Sequence, residues 1–135
     1  MGLPKKDGCR TLIMQLQIIK NEFAICQLED CSGIDYSDPF FFIGKTDAEI
    51  SLVCSLECIP VNAKKCDRTW KAFRIQGVLD FSLIGILSKI ATLLAENNIG
   101  IFVVSTYNTD YVLTKAECFE QALAVLRNAG YVIAE

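Results

Sequence analysis

Three features of the sequence predict an α+β, ferredoxin-like fold in the split β-α-β-β-α-β order. First, the apolar residues between positions 70 and 133 change period at each element boundary. Second, two segments of that stretch carry helical spacing, and four carry the alternation or short β-branched run of a strand. Third, residues 12–55 hold four strand-like runs and no long helix. The chain therefore reads as two tandem units, residues 12–68 and residues 69–135. The first is mostly β and degenerate. A unit of about 60 residues buries only ~60% of its unfolded surface, so two such halves gain by packing together.

The elements follow in order. Residues 1–9, with Pro4, two lysines and Gly8, read as a frayed leader. Residues 12–19 (LIMQLQII) and 22–28 (EFAICQL) read as two strands joined by a tight turn at Lys20-Asn21. Residues 29–39 are rich in acidic and turn-forming residues and read as a loop with one short helical turn. An aromatic strand over 40–43 follows. Thr46 and Glu49 have capping-box spacing, but the apolar run behind them is short and β-rich, so a turn is expected. Residues 50–55 (ISLVCS) form a strand, and 59–69 a linker carrying the basic group Lys64, Lys65 and Arg68.

The second unit begins with an alternating strand over 70–76. Gly77 allows a sharp turn, and Asp80 or Ser82 can cap the next helix by accepting its free N–H groups. Leu83, Leu87, Ile90, Ala91 and Leu94 form that helix's apolar stripe. Asn97-Asn98 suits the left-handed position at its end. The run 101–104 is apolar at every position, so it must be covered on both faces. Residues 107–110 (YNTD) form a hairpin turn, and Tyr107 and Tyr111 read as sheet-surface aromatics. Thr114 and Glu117 can box the last helix, whose stripe is Cys118, Ala122, Val125 and Leu126, and Gly130 ends it before the strand 131–133.

Composition removes several function classes. The chain has 135 residues, 52% hydrophobic and 21% charged, with a net charge of −3. A mildly acidic chain without a Lys/Arg cluster is poorly suited to nucleic acid or an anionic membrane surface. No apolar run approaches the roughly 20 residues a membrane helix needs. Gln15 and Gln17 break the apolar run a signal peptide requires, and Lys6 stands where myristoylation wants Ser or Thr, so a cytoplasmic protein is expected. Seven cysteines and no histidine occur. The odd count and the reducing compartment argue against a disulfide framework. Cys54, Cys58 and Cys66 could formally supply a thiolate zinc site, but their spacing departs from structural zinc sites, and Cys26 and Cys54 fit apolar strands as small hydrophobes. No metal and no cofactor are expected. Without histidine, neither a Ser-His nor a Cys-His nucleophile can be built within one chain, so a non-enzyme is expected.

Gly85-Ile86-Leu87, followed downstream by IATLLAENNIGI, resembles the ACT domain, a small-molecule regulatory module of ferredoxin-like fold. Gly85 and Leu87 match that family's Pro-Gly-hydrophobic-Leu signature, and Ile84 stands where it has proline. The strings GVLDFSLIGIL, STYNTDYVL, EFAICQL and FFFIGKTDAEISLVC look like a subfamily of short tandem ACT-like proteins, a pattern shared with the cytosolic arginine sensors of animal cells. The resemblance covers nearly the whole chain after about position 16.

It implies an amino-acid ligand held at an interface between ACT units, near the first βα loop. Gly77, Val78, Leu79, Asp80, Phe81 and Ser82 lead into a helix start, where unpaired N–H groups and the helix dipole favour a carboxylate. Asp110 is the candidate acceptor for the ligand's ammonium group, by the sensor-type pattern running from Ser105 to Asp110, with Thr106 and Tyr107 beside it. Asp80 can equally be a helix cap, and Asp110 a hairpin-turn residue. The function expected is a non-catalytic amino-acid-binding regulator. The alternative is a homodimeric interaction module without a working ligand site.

Overall fold

The computed structural model describes residues 15–76 and 85–135. One antiparallel-dominated sheet holds every strand among the described residues. In chain order the elements are β1 (Gln15–Leu28), β2 (Phe42–Lys45), β3 (Ile50–Ser55), a 3-10 turn (Leu56–Cys58), β4 (Ala63–Gln76), α1 (Ile86–Glu96), β5 (Phe102–Ser105), β6 (Asp110–Lys115), α2 (Ala116–Asn128) and β7 (Val132–Ala134). Across the sheet they run β2-β3-β1-β4-β6-β5, and β7 pairs in parallel with the start of β1. From β4 onward the order is β-α-β-β-α-β, as the periodicity predicts. Among the described residues of the first half, the 3-10 turn is the sole helical element.

Two expectations about the first half are corrected. Residues 15–28 form one strand, not two strands and a turn. Lys20-Asn21-Glu22 lie in a bulge: Ile19 pairs with Ala72 and Phe23 with Trp70, so only Lys71 opposes those three residues. A bulge of two extra residues absorbs the polar break and preserves side-chain parity on either side of it. The second correction concerns the linker, which is a strand from Ala63 onward. Its residues 64–69 are exposed, and among the described strands this half of β4 has only β1 as a neighbour. An edge strand made of Lys, Cys, Asp and Arg gives no hydrophobic signal, and its charges discourage pairing with other chains. Residues 29–39 hold two i→i+3 turns, Cys31–Ile34 and Asp35–Asp38, in place of a helical turn.

Both helices pack on one face of the sheet. Leu16, Phe73, Ile75 and Val112 from the strands meet Ile86, Ile90 and Leu94 of α1 and Phe119, Ala122, Leu123 and Leu126 of α2. Each helix ends in a Schellman motif. At α1, Asn98 takes φ 61° and Ile99 N donates to Leu94 O at 2.9 Å. At α2, Gly130 takes φ 104° and Tyr131 N donates to Leu126 O at 3.0 Å. These are the left-handed ends expected from Asn and Gly. The predicted capping box at Thr114 does not form: Thr114 is buried inside β6, opposite Lys71, and its hydroxyl donates to Lys115 O at 3.0 Å.

The alternate residues of the same strands face the other way. Ile19, Phe23, Val53, Ala72 and Leu113 form a second core, and Ile25, Phe40, Phe42, Trp70, Phe102, Val104 and Tyr111 pack on it half-buried. Ile101 and Val103 go to the helix face and Phe102 and Val104 to this open face, so β5 is apolar on both sides. A third cluster, Ala24, Cys26, Leu28, Ile34, Leu52 and Cys54, lies at the end away from the helices. There the loop before β2 is tied down by Asp38, whose carboxylate accepts from Ser55 N at 2.8 Å, Ser55 Oγ at 2.7 Å and Phe40 N at 3.0 Å.

Candidate functional site

The residues singled out in the sequence fall on two pieces of chain. Gly77, Val78, Leu79, Asp80, Phe81 and Ser82 lie outside the described residues, as does the proposed cap by Asp80 or Ser82. Their flanks are described. β4 delivers the chain to Gln76, and Gly85, at φ 85°, opens α1 at Ile86. Among the residues that can adopt this left-handed geometry, glycine does so without steric penalty.

Ser105 and Asp110 are the last residue of β5 and the first of β6, and they pair in register. The Ser105 hydroxyl donates to Asp110 Oδ1 at 2.5 Å. Between them residues 106–109 make the turn, one position earlier than expected. Thr106 N donates to Thr109 O at 2.8 Å, and the Thr106 hydroxyl donates to the same carbonyl at 2.9 Å. Strand alternation puts Asp110 and Ser105 on the helix-bearing face, in line with Val112 and Val103. Tyr107 is at the tip and fully exposed, so it is not on the sheet surface. Tyr111 is on the sheet, but on the open face.

Thr109 decides where the turn sits. Its hydroxyl donates to Ile75 O at 2.5 Å, joining the β5–β6 turn to the end of β4, two residues before Gly77. Nothing in the sequence marks Thr109. It reads as an ordinary turn residue, and its partner is 34 positions away. Arg74 and Gln76 were missed as well. On the open face, Arg74 Nη1 donates to Tyr111 Oη at 3.0 Å and Arg74 Nε to Gln76 Oε1 at 3.3 Å. The guanidinium carbon lies 5.8 Å from the centre of the Tyr111 ring, within cation–π range. The corner thus carries an acidic group on one face and a cationic one on the other.

Cys26 and Cys54 are buried in the third cluster, as expected of small hydrophobes, and burial pushes the Cys54 thiol up to about 11. Among the described residues no group of three or more Cys, Asp or Glu could hold a metal ion, and no helix is long and apolar enough to cross a membrane.

Comparison with known proteins bears on this geometry. Residues 65–128, which span most of β4, both described helices and the hairpin, match the ACT domain. The chain is similar to an Agobacterium tumefaciens protein of known crystal structure, with 32% identity, a TM-score of 0.78, and coverage of 89% of this chain and 91% of that one. It is similar to the aspartate kinase of Clostridium acetobutylicum, described as an allosteric enzyme, with 18% identity, a TM-score of 0.62, and coverage of 82% of this chain and 33% of that one. It is also similar to the regulatory subunit of Thermus thermophilus aspartate kinase in its ligand-free form, with 14% identity, a TM-score of 0.58, and coverage of 84% of this chain and 96% of that one. The last two likenesses establish the fold. No curated protein matches the sequence.

Proposed function

From the match of residues 65–128 to the ACT domain we propose that the chain is a non-catalytic, cytoplasmic regulator that binds an amino acid. The observation that carries this reading is the Thr109–Ile75 hydrogen bond, which sets the Ser105–Asp110 corner beside the approach to Gly77. In this reading the Asp110 carboxylate accepts from the ligand's ammonium group. The N–H groups between Gly77 and Ser82 take its carboxylate, as helix starts do. Thr106 and Tyr107 line the side. The site lies between ACT units, so a homodimer completes it, with each copy divided into a helix-poor unit over 12–68 and a helical unit over 69–135. We place the chain among tandem ACT-like proteins akin to the arginine sensors. The aspartate kinase likenesses support a regulatory rather than a catalytic role, because one of those proteins is itself a regulatory subunit.

A thermal-shift panel of the twenty amino acids at millimolar concentration tests this. A ligand at 100 times its Kd stabilises the folded state by about 2.7 kcal/mol through mass action. One amino acid should raise Tm by several degrees, and Asp110→Asn should abolish the shift while leaving the unliganded Tm within a degree or two. A flat panel ends the amino-acid reading.

A second reading, a homodimeric interaction module with no working ligand site, is favoured by the open face. Trp70, Phe102, Val104 and Tyr111 are only half-buried there, and contiguous apolar surface left open to solvent marks contact sites. The default arrangement is a closed two-fold pair. Light scattering at micromolar concentration would return the mass of one chain if it is wrong.

A further inference from the structure

Cys26 on β1 and Cys66 on β4 are register partners, and their sulfurs lie 3.1 Å apart. Cys66 is exposed, whereas Cys26 is 2% exposed. Cys66 sits in the half of β4 whose only described neighbour is β1, so a small molecule can reach its sulfur from the sheet edge. We propose that Cys26 and Cys66 are a reversible dithiol–disulfide pair, closed by exchange with a low-molecular-weight disulfide of the glutathione class.

The chemistry balances in two exchanges. The Cys66 thiolate attacks one sulfur of glutathione disulfide. The S–S bond breaks, and one glutathione leaves as a thiolate that takes up the proton Cys66 had lost. Cys66 is then in a mixed disulfide. The Cys26 sulfur attacks Cys66 Sγ as its own proton departs. The second glutathione leaves as a thiolate and is protonated. Two protein thiols have been oxidised to one disulfide, and one glutathione disulfide has been reduced to two thiols. Excess glutathione or dithiothreitol runs the sequence backwards.

Geometry assigns the two roles. The exposed sulfur meets the oxidant, and the buried one, 3.1 Å away, resolves the intermediate. Burial, the largest effect, and the hydrogen bond with Cys66 raise the Cys26 thiol well above its ordinary value, which suits it to acting second rather than first. The register also makes the bond easy to reopen. Directly opposed strand residues keep their Cβ atoms about 4.5–5.5 Å apart, while a relaxed disulfide wants roughly 3.5–4.5 Å. Closing the pair draws two strands together, and strained disulfides are the labile ones. Cys54, buried in the same cluster as Cys26, is the competing partner.

The experiment uses the full chain, reduced and then equilibrated in glutathione buffers of graded oxidation. Thiols are trapped by alkylation under denaturing conditions, and tryptic peptides are sequenced by tandem mass spectrometry. The expected product links the peptide carrying Cys66 to Cys26, with fragmentation separating Cys26 from Cys31 on the same peptide. Oxidation should raise Tm by roughly 5–15 °C, because the cross-link constrains the unfolded chain. Dithiothreitol should reverse it. Cys66→Ser should abolish link and shift alike, and Cys54→Ser should preserve both. A Cys26–Cys54 link in the native chain, or stable S-glutathionylation of Cys66 with Cys26 left reduced, overturns the proposal. The thermal-shift panel above is read on reduced protein, so the two ideas stand or fall separately.

Discussion

Asp38 ties the loop before β2 to the end of β3. It is 6% exposed, and its two oxygens take three hydrogen bonds, two of them from Ser55. Asp38→Ala leaves the buried Ser55 N–H without an acceptor and should destabilise by about 2–4 kcal/mol. Asp38→Asn, which keeps one acceptor, should lose less. Urea unfolding of the three proteins checks the order. Asp30 and Asp35 behave differently because they are exposed. Each carboxylate accepts from a serine hydroxyl and N–H two positions on, which holds it below the usual 3.8. A carboxylate depressed on folding adds stability above its unfolded value and gives it up as pH falls toward the folded one. The chain should therefore lose stability from just under pH 4 downward, and the Asp30→Asn/Asp35→Asn pair should lose less over that window in pH-series unfolding. At this scale the sequence was legible where the chemistry is local. Gly130 as the end of a helix, and a turn between Ser105 and Asp110, could be found from their neighbours. Thr109 could not, since its hydroxyl acts through a carbonyl on another strand.

The elements divide in the same way. Both helices were readable because their apolar stripes repeat within one element, and their left-handed ends because Asn98 and Gly130 supply a conformation that most residues avoid. A Cβ at position 130 would meet nothing within 4 Å, so Gly130→Ala tests conformation alone. We expect a loss of about 1 kcal/mol from the backbone penalty, measured by thermal and denaturant unfolding. A negligible change would mean that the last turn of α2 readjusts. The strands were harder. The break at Lys20-Asn21 looks like a turn because polar residues interrupt both turns and bulges. Only the partner strand, with Ala72 and Trp70 held in register, distinguishes them. Residues 63–69 were hidden because an edge strand needs backbone pairing but no apolar side chains.

For the molecule as a whole, β1 and β4 are the shared beams. β1 gives its first residues to β4 and β7, and its last to β3 and β4. β4 runs unbroken from Ala63 to Gln76, through the point where the periodicity changes. A fragment of residues 69–135 would lose Leu16 from the helix-face core and the strand that β7 pairs with. We expect that fragment to show little native near-ultraviolet circular dichroism alone, and to recover it when residues 1–68 are supplied in trans. Native signal from the fragment by itself would mean that β7 finds another partner. The pairing of β7 with β1 also governs how the protein bears a pulling force. Gln15 and Ala134 lie at opposite ends of two parallel strands. Traction on the two termini would slide those strands past one another, loading their hydrogen bonds together rather than peeling them one at a time. The terminal seam would act as a small mechanical clamp, so handles fixed elsewhere on the sheet should meet less resistance.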